Sequence, residues 1–302
     1  MNIVVSGSTG LIGSALVPFL TSAGHSVRRL VRGQPPGESA VRWSPAEGTI
    51  DSAQLEGTDA AIHLAGESIA GGRWTEEKKA RILNSRVDGT RLLAEALGGL
   101  ERRPGVFVCA SAIGYYGDRG DELLDEASRP GGGFLAEVCK QWEAAADPAR
   151  SQGIRVVHLR FGMVLSAAGG ALQQMLLPYK LGLGGRIGSG RQHWSWIALN
   201  DAVGAIHHAL VTDALEGPAN AVSPYPVTSR EFTKTLGRVL RRPTLLPMPS
   251  PAARLVFGQM ADELLLASQR VTPRRLLETG YVFQYPDLED ALRHLLGRTG
   301  EG

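Results

Sequence analysis

The chain opens on Asn2-Ile3-Val4-Val5-Ser6-Gly7-Ser8-Thr9-Gly10-Leu11-Ile12-Gly13, and this stretch decides the fold. Its first residues suit a buried strand. Three glycines follow, at Gly7, Gly10 and Gly13, and apolar residues then recur with helical spacing at Leu11, Ile12, Ala15, Leu16, Phe19 and Leu20. Strand, glycine-rich turn and helix in that order bring orphan backbone N–H groups and the positive end of a helix dipole to one point, where an anion is stabilised. Each glycine has a task in such a turn: the sharp reversal, close approach of a diphosphate, and contact between helix and strand. The stretch therefore predicts a dinucleotide site built from Gly7, Ser8, Thr9, Gly10, Leu11, Ile12 and Gly13, rather than a bare strand–helix connection.

The next strand, Ser26 to Arg32, selects the dinucleotide. An NAD site places an Asp or Glu about 20 residues past the glycines to accept a hydrogen bond from the ribose 2′-OH. No acid lies between His25 and Gly37, and Arg32 stands at the strand's end. An arginine there receives a 2′-phosphate, so NADP(H) is favoured over NAD(H). Gly24 is expected just past the end of the first helix. Pro18 inside that helix removes one backbone hydrogen bond and predicts a local kink.

Bulk properties suit one large α/β domain or two modest domains of ordinary globular composition. It has 302 residues, 43% apolar and 21% charged, with a net charge of +2. That charge balance points away from nucleic acid. No apolar run reaches the ~18 residues of a membrane span. The two cysteines, Cys109 and Cys139, have no metal-ligand spacing. No charged and apolar leader precedes the first strand, so a cytoplasmic location with free thiols is expected.

Further strands are read at Val41–Trp43, Asp59–Gly66, Gly105–Ser111 and Ile154–Arg160, with helices at about 75–97 and 134–149 between them. His63, inside an apolar strand, reads as a packed side chain rather than a base. Glu67 follows that strand's carboxyl end, where ligands bind in open α/β sheets. Arg86, on the next helix, is within reach of the same end. Ser111, Tyr115 and Tyr116 cluster past the following strand, where a nicotinamide and a substrate would meet. Beyond residue 166 the pattern changes to glycine-punctuated helices, a strand at 194–197, helices at 199–211 and 229–240, a Pro-rich segment at 243–249, and two amphipathic helices at about 252–267 and 288–296.

Together these blocks resemble the extended short-chain dehydrogenase/reductase superfamily, and more narrowly its atypical "epimerase family protein" subgroup. The resemblance rests on the Gly7–Gly13 turn, His63-Leu64-Ala65-Gly66-Glu67, Arg73-Trp74, Asn84-Ser85-Arg86, Leu159–Val164, Leu183-Gly184-Gly185, Gly188–Ile197 and Ser268–Pro273. It implies a Rossmann doubly wound sheet of seven parallel strands over residues 1–165, with strands returning from about 191–222. A smaller α/β substrate domain would occupy 166–302, including a C-terminal domain of unknown function at about 246–297. It also implies cofactor contacts from Leu64, Ala65, Gly66, Arg86, Ala110, Arg160 and Gly162.

The superfamily's chemistry does not transfer whole. It uses a Ser, then a Tyr and a Lys four residues apart on the next helix, where the Lys lowers the phenol pKa. Ser111 matches the Ser. The helix reads Phe134-Leu135-Ala136-Glu137-Val138-Cys139-Lys140, so the pair is either Ala136 with Lys140 or Leu135 with Cys139, and neither register has a Tyr. Tyr116, Tyr115 and a Glu67 with raised pKa are the other candidates for proton transfer; Glu143 could pair with Lys140 at helical spacing. Two functions follow. One is an NADP-dependent oxidoreductase or epimerase on a small polar substrate, sugar nucleotides included; the alternative is a non-catalytic NADP(H)-binding sensor. The helices near 75–97 and 134–149 are the surfaces for a homodimer, if the chain is not a monomer.

Overall fold

Alternation along Asn2–Ser6 sets the layers. Ile3 and Val5 point into one apolar cluster and Val4 into a second on the opposite side. The same split recurs on Val106–Ala112, where Val106, Val108 and Ala110 face the first cluster and Phe107 and Cys109 the second. Strands buried on both faces are the mark of a parallel sheet covered by helices on each side.

A computed structural model describes residues 1–33, 37 and 39–298. In chain order its elements begin with β1 (Asn2–Ser6), α1 (Leu11–Ser22), β2 (Ser26–Val31), β3 (Ala40–Ser44), β4 (Thr49–Ile50), β5 (Ala60–His63), α2 (Glu76–Gly98) and β6 (Val106–Ala112). There follow β7 (Leu123–Leu124), α3 (Phe134–Ala144), α4 (Asp147–Ser151), β8 (Arg155–Phe161), β9 (Met163–Leu165), α5 (Gly170–Lys180), β10 (His193–Trp194) and β11 (Trp196–Ala198). The last are α6 (Leu199–Val211), β12 (Gly217–Ala221), β13 (Val227–Thr228), α7 (Ser229–Leu240), α8 (Ser250–Phe257), β14 (Arg270–Val271), α9 (Arg274–Glu278) and α10 (Leu288–Leu295).

Among the described residues the main sheet has the order β12-β8-β6-β5-β1-β2-β3-β4. Seven strands run parallel, as expected; β4 adds a short antiparallel edge to β3. The chain winds outward from β1 through β2 and β3, then resumes at β5 on β1's other side. The carboxyl ends of β1 and β5 thus flank the switch point, where open α/β sheets bind ligands.

The second half builds its own core. Leu172, Leu176 and Tyr179 of α5, Phe232 and Leu236 of α7, and Leu288 and Leu292 of α10 close around Trp194 and Trp196. The expected strand at 194–197 divides: β10 pairs with β13, and β11 runs parallel to β9, so only β12 of this region joins the main sheet.

Local chemistry explains other departures. Gly24 takes φ +83 after α1, and its N–H and that of His25 return to Thr21 and Leu20 carbonyls, the expected cap. The helix read over 134–149 breaks at Ala145–Ala146, because Pro148 suits the first turn of α4 and not a helix interior. The helix read over 252–267 stops at Gly258, φ +61, and resumes as a single π-turn at Ala261–Leu266. Helix α7 starts from a Thr228–Glu231 capping box, one residue before the Ser229 expected to open it. No helix among the described residues is long and apolar enough to cross a membrane.

Candidate functional site

The first shell of the site is backbone. Gly7 has φ +68, and a Cβ there would lie 2.7 Å from Ala65 N and from the Leu64 carbonyl carbon. A Cβ on Gly13 would lie 2.2 Å from Gly7 O. Gly10 N donates to Gly7 O at 3.0 Å and closes the turn. Gly10 is also the N-cap of α1, and no side chain caps it. The amides of the first helical turn are therefore left for an outside acceptor, at the positive end of the dipole. A dinucleotide diphosphate fits this cradle. Ser6 Oγ organises the adjoining strand end: it lies 2.6 Å from His63 Nδ1 and accepts from Leu64 N at 3.2 Å. Arg32 sits exposed one residue past β2, with no ion pair or side-chain hydrogen bond among the described residues.

His63 is packed as expected, edge-on to Trp43 at 5.7 Å between ring centroids, and its Nε2 has no partner among the described residues. Burial pushes its imidazole down to about 3, and burial likewise pushes His158 down to about 4. Both are neutral in the folded protein, while in the unfolded chain the rings bind protons below the ordinary imidazole value of 6.5. Stability contributed by these two rings is therefore full above that value and falls as pH drops toward the folded values. Each ring is expected to remove roughly 2 kcal/mol by pH ~5. Denaturant unfolding across this range checks it: His63→Asn should flatten the slope by about one proton, and an unchanged slope would refute the assignment.

At the end of β5, Gly66 stands over Arg86, whose Cζ would be 3.3 Å from a Cβ on that glycine. Arg86 donates to the Glu67 and Ile82 carbonyls, both at 3.0 Å, and its guanidinium lies 5.0 Å from the Trp142 ring. It braces the strand end from beneath. Glu67 does not match the raised-pKa acid read from sequence. Its carboxylate accepts from Lys78 Nζ at 2.7 Å, which holds it below the usual carboxylate range, and the side chain is 38% exposed.

Past β6 the hydroxyls are committed. Ser111 Oγ donates to Glu143 Oε1 at 2.7 Å. Arg160 grips that carboxylate with both arms, Nε to Oε1 and Nη2 to Oε2, each at 2.8 Å. Its remaining arm donates to Tyr116 Oη at 3.0 Å, and Tyr116 donates to Asn220 Oδ1 at 2.7 Å. Asn220 in turn donates from Nδ2 to Thr272 O at 2.9 Å, tying in the C-terminal segment. Burial raises the Glu143 carboxyl, yet Arg160 outweighs it and leaves the group below its ordinary value; burial pushes Tyr116 up to about 12. The guanidinium also lies 3.5 Å from the centroid of the Tyr115 ring. Tyr115 Oη makes no hydrogen bond among the described residues, so it is the uncommitted phenol of the group.

The partner foreseen for Glu143 was Lys140; the structure pairs Lys140 with Glu137 on the outer face of α3 instead, its side chain 42% exposed. The inner face presents Leu135 and Cys139: both lie against Gly114, and Cys139 Sγ is 3.6 Å from Ala112 O. Ala136 is buried too, and neither register brings a Tyr to α3. Cys109 and Cys139 are both buried and free. Arg160 lies within the ion pair, and Ala110 lies buried in the sheet. Gly162 is a close-approach point, since a Cβ there would lie 2.5 Å from Ser195 O. Trp196 is wholly buried core; Trp194 donates from its indole to Leu265 O at 3.3 Å.

Glu263 had no sequence signal. From the π-turn it accepts from Phe134 N at 3.0 Å and Leu135 N at 2.7 Å, capping α3 across 129 residues of chain. Gln269 donates to Ile113 O at 3.1 Å, and Ser268 N to Asp118 Oδ1 at 3.0 Å. These contacts close a cavity of about 310 Å³ bordered by Gly114, Gly117, Leu135, Glu263 and Gln269.

Comparison with known proteins bears on all of this. Residues 3–223 match the sequence model of the NAD dependent epimerase/dehydratase family, and residues 248–295 match a domain of unknown function, DUF1731. An epimerase family protein of Mycobacterium bovis is 42% identical over 298 residues, covering 99% of this chain and 98% of that protein. The human epimerase family protein SDR39U1 is 38% identical over 300 residues, 98% of this chain and 100% of that one. A crystal structure of human SDR39U1 (isoform 2) with NADPH has a TM-score of 0.89 at 37% identity, covering 98% of this chain and 99% of that chain. A structure described as the nucleoside-diphosphate sugar epimerase from Corynebacterium glutamicum has a TM-score of 0.82 at 38% identity, with 98% of this chain covering 58% of that longer one.

Proposed function

We propose that this chain, which belongs to the NAD dependent epimerase/dehydratase family, is an NADP(H)-dependent oxidoreductase or epimerase acting on a small polar substrate. The observation that carries the reading is the uncapped start of α1 in the Gly7–Gly13 cradle, with Arg32 exposed beyond β2 and making no ion pair among the described residues. The NADPH in the human SDR39U1 structure supports it. The amides of Leu11, Ile12 and Gly13 would hold the diphosphate, Arg32 the 2′-phosphate, and the backbone of Leu64, Ala65 and Gly66 would border the nucleoside. Bound NADP(H) supplies the hydride chemistry.

What remains for the chain's own residues is to orient a substrate and move a proton. The 310 Å³ cavity beside Gly114 and Leu135 is of a size for a small molecule. Ser111 and Tyr116 spend their hydroxyls inside the protein, so the proton is assigned to Tyr115 Oη, whose ring is held against the Arg160 guanidinium. Tyr115→Phe should then abolish turnover of NADPH with carbonyl substrates, sugar nucleotides among them, and leave NADPH affinity unchanged.

A second reading, a non-catalytic NADP(H) sensor, is favoured by one observation: in neither register does α3 offer the Tyr that the superfamily uses. If NADPH binds but no carbonyl in a broad panel oxidises it, the enzyme reading falls and the sensor stands.

Cofactor choice has its own test. Arg32→Glu is expected to weaken NADPH more than about tenfold while changing NADH little, since only the former carries the 2′-phosphate. Direct titration of both cofactors reads this, and an equal loss for both removes Arg32 from the site.

A further inference from the structure

A second charged cavity lies in the C-terminal half, away from the cofactor cradle. It holds about 570 Å³ between α7 and the 243–248 segment. Its walls carry Arg186, Arg230 and Lys234, with Thr244, Leu245 and Pro247 opposite. None of its residues belongs to the β1–α1 turn or to the ends of β5 and β6. Its framework is fixed by backbone: Leu246 N donates to Gly184 O at 3.3 Å, Met248 N to Arg186 O at 2.9 Å, and Gly188 N to Met248 O at 2.9 Å.

The cations are held together, and no acid among the described residues pairs with them. Gly190, at φ +72, is the pivot: a Cβ there would lie 3.2 Å from Arg230 Cβ and 3.4 Å from Arg186 Cβ, so the two arginine stems flank one glycine. Arg230 N also donates to Gly190 O at 3.0 Å. Lys234 lies one turn along α7 from Arg230, on the same face, a like-charge spacing that weakens a helix. Among the described residues none of the three makes an ion pair. Glu231, the nearest acid on α7, is turned away into the Thr228 capping box. The Arg186 guanidinium donates to Ser189 O at 3.1 Å.

We propose that this cavity, where Arg186, Arg230 and Lys234 converge with no carboxylate among the described residues paired to them, binds a phosphate-bearing small molecule distinct from the cofactor. Two guanidinium forks suit phosphate oxygens in paired hydrogen bonds, and the ammonium adds a point charge. The volume exceeds the need of an inorganic ion and is in the range of organic ligand sites. Leu245, 82% exposed, and Pro247 line the rest, so the phosphate is carried on a group with an apolar face.

The test is calorimetric titration of the full chain with inorganic pyrophosphate in saturating NADPH, which fills the glycine-turn site first. Pyrophosphate is expected to bind one site, and Arg230→Glu and Lys234→Glu each to weaken it about tenfold or more. Both side chains are exposed, so the melting temperature and NADPH affinity should stay at wild-type values. Loss of pyrophosphate binding once NADPH saturates would assign it to the glycine turn and overturn the proposal. Equal binding by the variants would also overturn it. So would binding to phosphatidylserine vesicles with none to pyrophosphate, which would make the patch a membrane-facing surface.

Discussion

Arg160→Met is expected to cost about 3–5 kcal/mol of folding stability, the scale for removing one partner of a buried ion pair. The Arg160 side chain is 3% exposed and that of Glu143 13%, so water cannot take over the abandoned carboxylate. Three groups lose their anchor at once: Glu143 loses two charge-assisted bonds, Tyr116 Oη loses a donor, and the Tyr115 ring loses the cation on its face. Glu143→Gln should cost a similar amount, because it leaves the Arg160 guanidinium buried without its counter-charge and only one of its two acceptors remains. The double variant should recover part of the loss, since the pair's desolvation is removed with it. Urea unfolding of the four proteins gives the coupling directly; a loss in Arg160→Met under about 1 kcal/mol would place the pair with ordinary surface bridges. The pH dependence carries a sign as well. The folded carboxyl of Glu143 lies below its unfolded value, so its contribution is complete above the unfolded pKa and disappears as pH falls through the folded one.

This network also marks where reading the sequence stops. Glycine spacing, strand alternation and helix periodicity are local, and they led to β1, the cradle, the parallel sheet and the neighbourhood of Ser111. Arg32 was equally open to inspection, because the role proposed for it rests on its position past β2 and on a stretch of sequence without an acid. The Glu143–Arg160 pair is different. Its members lie on a helix and a strand 17 residues apart, and each taken alone resembles a solvated charge. Glu143 has a nearer cation on its own helix in Lys140, and helical spacing favours that choice; only the packing of α3 against β6 and β8 turns the carboxylate inward. Glu67 shows the same limit in reverse. A carboxylate at a strand end was readable, but the Lys78 that lowers its pKa enters from the first turns of α2. Glu263 is the extreme case: a helix cap supplied from the far end of the chain leaves no pattern near either partner.

The π-turn and its Glu263 give the C-terminal segment a mechanical role in the candidate site. Gly133, at φ +103, begins α3 without a side chain to cap it. Glu263 supplies the missing acceptors for two of that helix's first amides. The face carrying Leu135 and Cys139 is thus positioned by the same segment that walls the 310 Å³ cavity. Whether α3 relays a proton or only shapes the cavity, its placement depends on residues well outside the main sheet.

Gly13→Ala should remove cofactor binding more completely than any charge change. The added Cβ would meet Gly7 O at 2.2 Å, Ser8 Cα at 2.7 Å and the Gly7 carbonyl carbon at 2.9 Å, all backbone atoms of the turn. No rotamer change relieves such a contact, so either α1 slides or the turn opens. The opposing propensity gain of Ala over Gly inside a helix is about 1 kcal/mol, too small to offset a displaced turn. Either movement takes the first-turn amides away from a common anion. NADPH and NADH should therefore weaken together by about a hundredfold or more, ~2.7 kcal/mol, whereas Arg32→Glu separates them. That contrast would divide the proposed site into two physical parts: an amide cradle blind to the 2′ position, and the Arg32 guanidinium that reads it. An NADPH affinity for Gly13→Ala within about threefold of wild type would mean that the diphosphate does not depend on this turn, and the cradle would have to be sought elsewhere along the switch point.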